Sequence, residues 1–70
     1  MNYNYNKLRG IIKENGYTEK EMAKKLGMDQ ATFSRKINSL SLFDTKEIKS
    51  MIDILNIDTN SIYNVFFVQK

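Results

Sequence analysis

Five residues near the middle of the chain carry recognition chemistry at helical spacing: Gln30, Ala31, Thr32, Ser34 and Arg35. An amide donates and accepts at once, a guanidinium is a planar fork of donors, and hydroxyls do both. The stretch from Asp29 to Asn38 has one acid, Asp29, at its very start. A merely solvated helix would mix Glu with Lys. This set suits a partner edged with acceptors better than it suits water. Means for covalent chemistry are few. The chain has no His and no Cys, its carboxylates fall mostly at helix starts or on solvated faces, and so short a domain has little room for a pocket. An enzyme is rejected on these grounds. No cofactor is expected, and no metal, since only carboxylates remain as ligands.

Those residues must be held by something. Seventy residues make one small domain at most. Without disulfides it relies on well-packed helices, and a core of this size rarely supplies more than about 3–5 kcal/mol. No apolar run approaches the ~18 residues of a membrane span, and the start "MNYNYNKLRG" does not read as a signal peptide. With no Cys either, a cytoplasmic protein with no membrane partner is expected. The net charge of +3 is uneven. Residues 1–40 carry eight basic side chains against four acidic ones, and residues 41–70 carry three against four. An anionic partner for the first half would explain this, as would chance.

Pro is absent, so helix boundaries must come from caps. One pattern recurs: an apolar residue, a capping residue, three further positions, then another apolar residue. It is the hydrophobic staple around an N-cap. It occurs as Tyr3-Asn4…Leu8, Tyr17-Thr18…Met22, Met28-Asp29…Phe33, Phe43-Asp44…Ile48 and Ile57-Asp58…Ile62. Thr18 with Glu21, and Asp44 with Glu47, add capping boxes. Gly16, Gly27, Asn38 and Asn56 stand where a left-handed residue would end a helix. The spacing predicts five helices, over 4–15, 18–26, 29–38, 44–55 and 58–66, and an all-α fold. The biased "NYNYN" reads as an arm whose first residues fray. Met22, Met28, Met51, Phe33, Phe43 and Phe66 fall on staple or core positions.

Two short helices joined by a Gly-containing three-residue turn define a helix-turn-helix. Here Gly27-Met28-Asp29 supplies the turn, its apolar plug and the next cap. Ala23 is small enough to let the third helix cross closely over the second. A plain αα corner would need the same Ala and Gly, but the ordered set favours DNA binding.

The segment "YTEKEMAKKLGMDQATFSRKIN" resembles the helix-turn-helix of the phage repressor (Cro/CI, or XRE-like) proteins. It carries Thr18-Glu19, Met22-Ala23, Leu26-Gly27 and Asp29, then Thr32-Phe33-Ser34-Arg35. "YNKLRGIIKENGYT", "SLFDTKEIKSMIDILNI" and "IYNVFF" are similar to a subfamily of small phage Cro-like regulators, so the resemblance covers roughly residues 5–67. It implies a compact five-helix lambda-repressor-like domain, with residues 18–38 as the helix-turn-helix, working in the cytoplasm of a bacterial host on its nucleoid. Glu19 departs from the pattern. The family commonly has Gln there, touching a phosphate, and a carboxylate would be repelled.

With Phe33 and Ile37 turned to the core, a 100° step per residue points Ala31, Arg35 and Asn38 outward, flanked by Thr32 and Ser34. Gln30 projects from the helix start. The N-terminal part of a recognition helix meets base edges in the major groove. Gln30 would then bridge N6 and N7 of adenine, Ala31 meet a thymine methyl, and Arg35 take O6 and N7 of guanine or a phosphate. Phosphate contacts are expected from Tyr17 and Thr18 at the start of the second helix, and from Lys36, Asn38, Ser39 and Ser41. One such module reads a short half-site, so a homodimer on a pseudo-palindrome is expected. Phe67 and Val68, off the face of the fifth helix, are candidates for its contact within a tail of residues 61–70. The alternative is that Phe67 tucks under the first helix. Two functions remain open: a repressor of operator DNA, and a modulator or antirepressor whose main partner is another phage repressor protein.

Overall fold

The computed structural model describes residues 2–70. Among them are five α-helices: α1 (Asn6–Glu14), α2 (Glu19–Lys25), α3 (Gln30–Ile37), α4 (Thr45–Leu55) and α5 (Ile62–Phe66). A 3-10 turn, Thr59–Ser61, precedes α5. No strand is formed among the described residues, and no helix of theirs is long and apolar enough to cross a membrane. The radius of gyration is 10.9 Å, against roughly 11 Å for a compact chain of this length.

Three helix starts follow from side chains already visible in the sequence. The Thr18 hydroxyl accepts from the Glu21 amide at 3.1 Å, and the Glu21 carboxylate accepts from the Thr18 amide at 2.9 Å. Asp44 and Glu47 repeat this box at 2.7 and 2.9 Å. Asp29 accepts from the Thr32 amide at 2.7 Å. Each such cap contributes about 1 kcal/mol.

The stops share one device. At the ends of α1, α2, α3 and α4 a left-handed residue turns the chain: Gly16, Gly27, Ser39 and Asn56. The next residue donates back five positions, as in Tyr17 to Ile12 and Met28 to Ala23. This is the Schellman motif. Asn38 is not the left-handed residue expected for α3; it keeps φ −93°, and Ser39 takes φ 63°. The Asn38 side chain is held by other partners, so the turn falls one residue later.

Two further boundaries differ from expectation. α1 begins at Asn6, because the Asn4 carboxamide accepts from the Asn6 amide at 3.0 Å in a turn ahead of the helix. The fifth helix is split. Asp58 makes no side-chain cap, and its carbonyl accepts from the Ser61 amide at 2.9 Å. Thr59, Asn60 and Ser61 are poor helix formers in a row, so the tighter turn wins there.

The core centres on Leu8, Met22, Phe33, Ile37, Met51 and Val65, all essentially inaccessible, with Phe43 bridging the Tyr5 and Phe33 rings at 5.5 and 5.8 Å. α2 packs on α3, and α1 on α5. The N-terminal arm is not frayed at Asn2–Asn4. The Asn4 amide donates to Val68 O at 2.7 Å and the Lys70 amide to Asn2 O at 3.1 Å, in an antiparallel bridge of Tyr3 with Gln69. The other edge of Tyr3 is held by Ser39, whose hydroxyl accepts from the Tyr3 amide at 2.8 Å and donates to its carbonyl at 3.1 Å. The tail after α5 is therefore extended and paired within the chain, and the exposed Phe67 sits edge-on to Tyr3 at 6.4 Å.

Candidate functional site

α3 is an amphipathic helix of eight residues fixed at both ends. Asp29 holds its start. At its other end the Lys36 ammonium pairs with the Glu47 carboxylate of α4 at 2.7 Å, both side chains being largely withdrawn from solvent. Phe33 and Ile37 are buried beneath it. Gln30, Ala31, Arg35 and Asn38 are exposed, and Thr32 and Ser34 are half-buried beside them. These six share the outward face. The side chains of Gln30, Thr32 and Arg35 make no hydrogen bond or ion pair among the described residues. The face thus presents uncommitted polar groups on a rigid support, with no carboxylate.

Two cap carboxylates lie close by and remain ionised. Hydrogen bonding from the Thr32 amide holds Asp29 below the usual carboxylate range, and bonding from the Thr18 amide does the same for Glu21. A depressed folded value contributes stability above the ordinary pKa and loses it as pH falls through the folded one. Acidification through and below the usual carboxylate range is therefore expected to fray the starts of α2 and α3 first. The amide shifts of Thr18 and Thr32, which donate to the two carboxylates, check this in an acid titration. If both amides stay unchanged while the rest of the domain unfolds, the caps are not the weak points.

The residues expected at phosphates are placed less uniformly. Thr18 is exposed and accepts from the Glu21 amide, which leaves its hydroxyl proton to donate. Tyr17 is half-buried, with the Lys25 ammonium 5.3 Å from its ring centre. Ser41 is half-buried in the loop after α3. Lys36 is committed to Glu47 and Ser39 to Tyr3, because the first faces α4 and the second sits at a strained left-handed turn that needs the arm. The charge of Lys36 is thus paired, and the Ser39 hydroxyl has both its partners on Tyr3. Asn38 is exposed but also has partners: its amide nitrogen donates to Ser34 O at 2.8 Å, and its oxygen accepts from Arg9.

A family model described as a protein of unknown function, DUF739, matches residues 1–69. The chain belongs to the DUF739 family. None of the curated proteins matches it. The site of this DUF739 chain therefore has to be read from its own geometry.

That geometry adds one residue that the local pattern missed. Arg9, on α1, reaches the far end of α3. Nothing in the sequence around Arg9 signals this, because it flanks the core residue Leu8 and its partners lie 28 and 29 positions away. A shallow, open depression also runs between α2 and the start of α3, lined by Lys20, Lys24, Met28 and Gln30 among others. Glu19 is half-buried and has no ion-pair partner among the described residues.

Proposed function

We propose that the chain is a sequence-specific DNA-binding transcriptional regulator, resembling the phage Cro-like repressors, that reads operator DNA through the major groove. In this reading α2 and α3 form the helix-turn-helix, and α3 is the recognition helix. The observation that carries it is the outward face of α3: exposed Gln30, Ala31 and Arg35, with half-buried Thr32 and Ser34, all without an acid among them. An amide and a guanidinium at these places match the donor and acceptor edges of adenine and guanine, and the small side chains between them allow close approach. Backbone contacts then fall to Tyr17, Thr18, Ser41 and the Asn38 amide. Two copies would bind one pseudo-palindromic operator, with Phe67 and Val68 as the candidate contact.

Titration of DNA from the chain's own promoter region across a salt series tests this. The expected result is affinity of about 10⁻⁸–10⁻¹¹ M, two chains per site and a negative slope of log K on log salt. Uniform binding no tighter than about 10⁻⁶ M on every sequence would sink it. One observation favours the second reading, a modulator of another phage repressor: Leu40 and Leu42 are 74% and 67% exposed directly after α3. In that case the neighbouring repressor protein, not DNA, forms the tight complex.

A further inference from the structure

We propose that Arg9 is a positioning residue for the reading helix, acting through Asn38 to aim that residue's amide nitrogen at a DNA phosphate; this rests on the DNA-binding reading above. The chain of contacts runs from α1 to the surface of α3. Arg9 Nη2 donates to Asn38 Oδ1 and, at 3.3 Å, to the Ile37 carbonyl. Nη1 donates to Asn6 Oδ1 at 3.4 Å. Asn38 Nδ2 in turn donates to the Ser34 carbonyl at 2.8 Å and, over a longer 3.4 Å, to the Ser34 hydroxyl.

Chemistry fixes the orientation of the Asn38 amide. Arginine has no acceptor, so the atom facing it must be the amide oxygen; a carbonyl cannot donate, so the atom facing Ser34 O must be the nitrogen. An isolated Asn on an exposed helix end would be free to turn over. Here both ends are assigned, and both donations of the exposed Asn38 amide go to Ser34; the longer one, to the hydroxyl at 3.4 Å, is the one a phosphate at the end of the reading face would replace.

The guanidinium itself is turned inward. Its contacts are all with acceptors of the protein, and it lies against the last carbonyls of α3, where a cation is favoured. A lysine would supply the charge but not the fork that reaches Ile37, Asn38 and Asn6 together.

The test uses the full chain with Arg9→Gln, Arg9→Lys, Asn38→Ala and the Arg9→Gln/Asn38→Ala double variant, on operator DNA at several salt concentrations. Immobilising a loosened side chain on binding is expected to weaken Arg9→Gln about 2–12-fold, with its salt slope unchanged. Asn38→Ala should weaken binding too and lower the slope by about 0.9, one phosphate. The double variant should bind no worse than Asn38→Ala. Arg9→Lys should behave as Arg9→Gln. Additive losses, full rescue by Lys, or a slope that falls in Arg9→Gln would each overturn the proposal, the last by making Arg9 a direct phosphate ligand. NMR of the Asn38 side-chain amide without DNA separates the two readings. Its order should drop in Arg9→Gln, and unchanged order overturns the grip whatever the DNA result. If the unaltered chain binds no operator, the DNA reading fails and the phosphate role with it.

Discussion

Under the proposed DNA-binding function, Arg35→Ala is expected to weaken operator binding by about 1–3 kcal/mol, or about 5–150-fold, and to relax preference at one base position. Arg35 is exposed on α3, and its guanidinium has no partner among the described residues. Its donors are therefore available without breaking a contact, and no carboxylate on α3 competes for them. A guanidinium that forks onto O6 and N7 of guanine loses most on that base and little elsewhere. One on a phosphate loses evenly on every sequence and takes about one unit from the salt slope. Fluorescence anisotropy on operators altered one base pair at a time distinguishes these outcomes. The fold should not change, because exposed substitutions outside special contacts stay within about 0.5 kcal/mol. A variant that binds every operator as the unaltered chain does would remove Arg35 from the interface.

What the sequence made legible was local. Thr18, Asp29 and Asp44 each cap through a bond to an amide three residues on, and Gly16, Gly27 and Asn56 each end a helix by their own φ. Such interactions need only neighbours, so a pattern of residue types suffices to find them. The outward set on α3 was legible for the same reason: one buried pair, Phe33 and Ile37, fixes the phase of the whole helix.

What escaped was decided by distant partners. Tyr5 falls inside the predicted first helix with no core role assigned to it, yet it stands just ahead of α1, 4% exposed under Phe43, and burial pushes its hydroxyl above the usual tyrosine value. Ser39 adopts the left-handed turn in place of Asn38 because its hydroxyl closes on both backbone groups of Tyr3, 36 positions away. Lys36 looked like a phosphate ligand from its place after the reading face, but Glu47 lies across from it and withdraws the charge. Each of these pairs joins segments that nothing in the local pattern brings together. The cost of closing such loops grows only slowly with their length, so distance along the chain gives no warning of them.

Phe33→Ala should remove the fold itself. Phe33 is fully buried on the inner face of α3, with the Phe43 ring 5.8 Å from its own. Truncating such a ring costs about 3–5 kcal/mol, including the void it leaves. A domain this short without disulfides has about that much to lose. The variant should show little helical signal by circular dichroism at room temperature, and no cooperative urea transition. Phe33→Leu leaves a smaller void and should stay folded with a lowered midpoint. A Phe33→Ala transition within about 1 kcal/mol of the unaltered chain would mean that the site collapses and that Phe33 is not the support of α3. The contrast with Arg35 separates surface from scaffold on one helix. Under the proposed function, Arg35→Ala should lose DNA reading with every helix intact, whereas Phe33→Ala should lose it because the helix that carries Gln30, Ser34 and Arg35 no longer has a core to lie on.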